Sequence, residues 1–166
     1  MNLDRLKFVK NIDDPERWAY ADWNLGSQQH LHWANAKGDF TNADKADLDD
    51  LILLVQKSPH SAETRVTHLV KVVSTSAETL SDGDWGIVRE VTVVWVADFA
   101  NLAFMPTDTD VFGWERHRPQ GTKIVKLENL SDNNVVQLWH SLEIFQRHVA
   151  SMLGLTQPKV ETAIAP

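Results

Sequence analysis

The chain has no cysteine and only one tyrosine. Lack of cysteine removes disulfides, thiol nucleophiles and cysteine-bound zinc together. Proline and glycine are sparse, six and seven in 166 residues, which argues against a low-complexity or collagen-like segment. No apolar run approaches the roughly 18–20 residues of a membrane span. The opening Met1-Asn2-Leu3-Asp4-Arg5 lacks the basic and apolar segments of a signal peptide. The expectation is therefore a cytoplasmic protein with no membrane partner. Catalytic signatures are also missing: no Gly-x-Ser-x-Gly elbow, no His-Glu-x-x-His, no phosphate-cradling glycine loop, no dinucleotide fingerprint. Without a nameable nucleophile–base pair or cofactor motif, the chain reads as a non-enzymatic protein that needs no cofactor.

Positive charge is in short supply, and the net charge is −7. Proteins that hold a phosphate backbone non-specifically are usually basic. Any nucleic-acid role here must rest on a local patch and on contacts to bases. Tryptophan, by contrast, is abundant at seven. It fills cores, but it is also the best stacking platform and cage wall.

The chain is organised around residues 50 to 73. Leu51 to Lys57 is a short, largely apolar run bounded by Asp49-Asp50 and Pro59, which reads as a buried strand. Arg65 to Val73 is rich in β-branched residues and alternates: Val66, His68, Val70 and Val72 would share one face. Gly86 to Ala97 is a third strand, apolar on both faces around Trp95, and Thr122 to Leu127 a fourth. Residues 1–12 suit a short helix or an edge strand. Asp13-Asp14-Pro15-Glu16 carries the signals of a helix start, with a helix to about Trp23. Ser27 to Trp33 suits a second short helix or an irregular segment. Five aspartates between residues 39 and 50 face only Lys45, which reads as a solvated acidic loop. Residues 74–85 read as a polar loop, and 98–113 as a long connection. Such connections usually run about 4–6 residues, and longer ones are often functional. Beyond Ser131 or Asp132, apolar residues from Val135 to Leu153 recur at helical steps, and Gly154 supplies a stop. The domain expectation is one globular unit over 1–156 and a frayed tail over 157–166.

Few side chains stand out chemically. His30 and His32 would share a face if their segment were extended, but no third metal ligand is evident. His140 and Glu143 read as a surface pair. His68 is the lone polar residue on its strand face: either a buried, hydrogen-bonded histidine or the floor of a pocket. In the stretch 114–126, Arg116, Arg118, Lys123 and Lys126 face only Glu115, with Trp114 and His117 interleaved. A basic loop carrying aromatics can hold phosphate and stack a base, or it can simply be solvated with Trp114 as an anchor.

The acidic turn before Leu51 to Gln56, the strand Arg65 to Val73, the Trp-containing strand, and the turn Trp114-Glu115-Arg116-His117-Arg118-Pro119-Gln120-Gly121 together resemble PUA-like domains. The nearest flavour is the EVE-type domain and related stand-alone modules of bacterial defence systems. The resemblance spans roughly residues 20–128. It implies an α+β fold: a small, curved PUA-like β-barrel with flanking helices, to which this chain adds a long C-terminal helix. It also implies recognition of nucleic acid or a modified base in a pocket walled by aromatics. The ligand-binding residues would then be Trp23, Trp33, His68, Trp85, Trp114, Arg116 and Arg118. A module that instead meets a protein partner, as a subunit of a multi-protein system, is the alternative. Exposure of the tryptophans separates the two.

Overall fold

The computed structural model describes residues 1–35, 39–113, 124–127 and 138–155. The fold is α+β. Seven strands form one mixed sheet: β1 (Leu6–Ile12), β2 (Gln28–Trp33), β3 (Leu51–Lys57), β4 (Thr64–Val72), β5 (Glu78–Thr79), β6 (Ile87–Val96) and β7 (Ile124–Lys126). The order is β2-β6-β4-β3-β1-β7, with β5 beside β6. Among the described residues no pairing joins β2 to β7, so the sheet is open. Among the described residues four short helical pieces and one longer helix accompany it: 3₁₀ turns at Leu3–Arg5 and Leu102–Phe104, α1 (Asp39–Ala43), α2 (Asp108–Phe112) and α3 (Leu142–Met152). None of the described helices is long and apolar enough to cross a membrane.

The strands expected near 51–57, 65–74, 86–97 and 122–127 all have counterparts. The N-terminal segment is neither helix nor edge. Asn2 caps a 3₁₀ turn at Leu3–Arg5, and β1 then runs inside the sheet, parallel to β3 and antiparallel to β7. Leu6, Phe8, Val9 and Ile12 are all buried, a pattern that an interior strand covered on both faces requires.

The sheet separates two cores. One holds Phe8, Ile52, Leu54, Val70, Val72, Val91 and Val93 with Trp23, Leu31 and Trp33. The other holds Leu6, Val9, Leu51, Leu53, Val55 and Leu69 against Phe112 of α2 and Phe145 and Val149 of α3. The simple alternation expected for β4 is broken. Leu54 pairs with His68 and Val55 with Val66, leaving Thr67 as an extra residue. The bulge reverses the alternation, so Val66 joins the core of Leu69 while Val70 and Val72 face the other way. Val94 makes a second bulge, between Trp95 opposite Leu69 and Val93 opposite Val70. Lys10 of β1 is buried, and its Nζ lies 4.8 Å from the ring of Trp33 on β2, although three strands stand between them.

Several local expectations are corrected. Residues 13–23 form turns, not a helix: the Asp14 carboxylate accepts the N–H groups of Glu16 and Arg17 at 3.0 and 3.3 Å, closing a turn where a helix would start. Residues 28–33 are a strand, because they pair residue by residue with β6. The acidic stretch 39–50 is a solvated loop only in part: Asp44, Asp47 and Asp49 are exposed, while Asp50 is buried. The stretch contains α1 and wraps the solvent-inaccessible Arg89, whose guanidinium donates to the carbonyls of Ala43, Ala46 and Ser74 at 3.0, 2.7 and 2.9 Å. Burial disfavours the charged guanidinium, and the fields of Asp44, Asp47 and Asp50 oppose that. The long connection 98–113 carries the 3₁₀ turn and α2, the latter with a capping box between Thr107 and Asp110.

The C-terminal helix is interrupted. His140 has a left-handed φ of 65°, and Ser141 caps α3 by accepting the N–H of Ile144 at 3.1 Å. Gly154, with φ of 66°, follows its end as expected. Glu143 pairs with Arg147, one turn on, rather than with His140. Trp139 is half-buried and donates its indole N–H to the carbonyl of Phe112 at 3.1 Å. The expected helix start at 131–132 and the tail 157–166 lie outside the described residues.

Candidate functional site

An open cleft of about 920 Å³ is lined by residues 14, 16–22, 32, 60 and 85. Four separate segments build it: the turns between β1 and β2, His32 on β2, His60 in the turn after β3, and Trp85 ahead of β6. Its principal wall has no regular secondary structure, yet it is fixed in place. Gln56, at the end of β3, is buried. Its side-chain amide donates to the carbonyls of Asp14 and Arg17 at 3.0 and 2.8 Å and its carbonyl accepts the N–H of Ala19 at 3.0 Å. One side chain thus does for this wall what a neighbouring strand does for a ladder.

Tyr20 sits at the bend of that wall, with a φ of 59° that L-residues seldom adopt. It is held from three sides. Its carbonyl accepts from His68 Nε2 at 3.0 Å, its hydroxyl accepts the His32 N–H at 3.3 Å, and its ring stacks on Trp23 with centroids 4.0 Å apart. Burial pushes the Tyr20 hydroxyl up to about 12, with the His32 hydrogen bond pulling it back, so it stays neutral. Trp18 leans on Phe99, and Phe99 on His68. Aromatic contact therefore runs from the cleft into the core.

His68 is fully buried. Burial pushes it down to about 4, against smaller upward pulls from the Tyr20 carbonyl and Asp22. Tyr20 O can only accept, so the proton resides on Nε2, and Nδ1 accepts from the Thr67 hydroxyl at 2.9 Å. The same logic fixes His32. Its Nδ1–H donates to the Trp85 carbonyl at 2.8 Å, which leaves Nε2 as an acceptor in the neutral ring. That bond also ties Trp85, which is 46% exposed, to the cleft.

Of the ligand-binding residues expected from the sequence, Trp85 alone lines the cleft among those described; His32, considered there only as a metal ligand, lines it too. Trp23 and Trp33 belong to the core, at 8% and 0% exposure, and His68 supports the wall from behind. Burial of these two indoles follows from the sheet face they cover: both pack with Leu31, Ile52 and Val93. Trp114, Arg116 and Arg118 lie outside the described residues. Trp18, Tyr20, His60 and Gln56 were missed. The available signal was Gln56 itself, a polar residue closing an otherwise buried strand, which must find backbone partners. His30 and His32 do share an extended strand, and among the described residues no group of three metal-binding side chains forms.

No protein-family model, no curated protein and no solved structure matches this chain.

Proposed function

We propose that the chain is a non-enzymatic, cytoplasmic binding module that takes a planar ring of nucleobase size in the cleft. One observation carries this reading: Trp18, Tyr20 and Trp85 share a single concavity with His32, whose free acceptor can read a ring N–H. A volume of about 920 Å³ falls within the usual range of roughly 300–1,000 Å³ for small-ligand sites. Recognition of a modified or extruded base of a nucleic acid is the biological form of this reading. The PUA-like, strongly curved fold is its structural companion, and the Lys10–Trp33 contact across three intervening strands supports such curvature. The aromatic platform differs from the one the resemblance implied: Trp18 and Tyr20 take the place of Trp23 and Trp33.

Calorimetry across a panel of neutral and charged nucleosides and short oligonucleotides tests it. Trp85→Ala should weaken the preferred ligand by about 1–3 kcal/mol, the worth of one stacking contact, and leave the unfolding midpoint nearly unchanged. Absence of binding across the panel refutes the reading. A protein-interaction module would then lead, favoured by the 3₁₀ turn that exposes Leu102 at 40% and Phe104 at 75%.

A further inference from the structure

The cleft's charges select among rings. Four charged side chains line it: Asp14, Glu16, Arg17 and Asp22. Two of them oppose each other, since Arg17 Nε lies 3.5 Å from Asp14 Oδ2. Asp14 is further committed through Oδ1 to the backbone of its own turn. Glu16 and Asp22 are exposed and form no ion pair among the described residues. The cleft is left with two uncompensated carboxylates beside three aromatic side chains.

Both features favour the same ligand charge. An indole or phenol ring presents a negative face that attracts a cation within about 6 Å. A carboxylate adds Coulomb attraction of the same sign, while a phosphate meets repulsion there. A neutral ring gains from stacking alone. We propose that the cleft prefers a heteroaromatic ring bearing a fixed positive charge, such as a ring-N-methylated purine, over its neutral parent. This rests on the cleft being a ring-binding site and adds the charge of the ring.

The test is titration calorimetry of the full chain at neutral pH and low salt, with N1-methyladenosine, whose ring is cationic there, against adenosine. The methylated nucleoside should bind about tenfold more tightly. The gap should narrow in the double variant Glu16→Gln with Asp22→Asn, the aromatic faces retaining their share, and shrink as salt is added. Circular dichroism and urea unfolding of the double variant should match the parent, because both side chains are exposed. If the two nucleosides bind equally, or adenosine binds better, the charge preference is overturned while the ring-binding reading stands. If the gap is undiminished in the double variant, the carboxylates do not contribute to it and the proposal fails. If neither binds, and the wider panel is also silent, both readings fall.

Discussion

His68 should make both stability and the cleft wall acid-sensitive. In the folded chain its second nitrogen can take a proton only if the Thr67 hydroxyl turns away and donates to the carbonyl of Leu54, 3.4 Å off. The resulting charge would also sit in a solvent-free site. Burial holds the imidazole down at about 4 against the upward pulls of the Tyr20 carbonyl and Asp22. In the unfolded chain it titrates near its ordinary value of about 6.5. Between these values the unfolded state binds more protons, so stability rises with pH. The contribution is complete above about pH 6.5 and is lost as pH falls toward 4. At about pH 5 the unfolded histidine is almost wholly protonated and the folded one hardly at all, which corresponds to a loss of about 2 kcal/mol. His68→Gln keeps a donor for Tyr20 O and cannot titrate. Urea unfolding followed by tryptophan fluorescence, at about pH 7.5 and about pH 5, reads the difference. The parent should lose about 2 kcal/mol more than the variant over that interval. Equal losses would refute the argument and place the ring in contact with water or with a compensating anion.

Two further outcomes follow from the buried polar groups. Gln56→Ala strips three hydrogen bonds from the 14–19 segment; it should cost about 1–3 kcal/mol and make that segment's amides exchange faster in hydrogen-exchange measurements, while slow exchange in β3 persists. Arg89→Met leaves the carbonyls of Ala43, Ala46 and Ser74 unpaired and removes the positive charge that faces Asp44 and Asp47, while Asp50 keeps Arg5 at 2.9 Å. Thermal unfolding should show a loss of about 3–5 kcal/mol, and a loss below about 1 kcal/mol would mean that water replaces the guanidinium.

Strands β3, β4, β6 and β7 were legible because each is rich in β-branched residues or leucine and bounded by turn residues, and a run of that kind has few alternatives. Residues 28–33 were missed because only pairing with β6 makes them a strand; elsewhere a distant polar side chain outcompeted a local signal. Asp14-Pro15-Glu16 carries every mark of a helix start. The Asp14 carboxylate satisfies a turn equally well, and Gln56, some forty positions away, holds the carbonyls that a helix would have used internally. The acidic stretch 39–50 read as solvent-facing because charge usually is. Arg89, whose position inside a strand gives no hint of its partners, turned part of that stretch inward. Lys10 likewise broke the apolar pattern of β1 and hid an interior strand.

The same competition explains why the cleft was only half visible. The surplus of tryptophan pointed to aromatic surface outside the core, and Trp85, at 46% exposure, does line the cleft. The rest of the cleft's membership was not legible, because the wall is built by a segment without periodicity and is clamped from the far end of β3. Trp23 and Trp33 look no different in sequence from Trp18 and Trp85. The difference lies in which side of the clamped wall each falls on. Trp23 stacks beneath Tyr20 and reaches His68 edge-on. Trp18 stands on the solvent side, against Phe99. A wall held by Gln56 from one side and His68 from the other can present Tyr20 in its rare backbone conformation only while both grips last. Both grips are hydrogen bonds to main-chain groups, so neither depends on what the exposed side chains of the wall are. On the proposed reading, the exposed positions 16, 17 and 22 can therefore set ligand preference without disturbing the scaffold, and the charge of the bound ring should be changeable by substitution at Glu16 and Asp22 while the fold remains as it is.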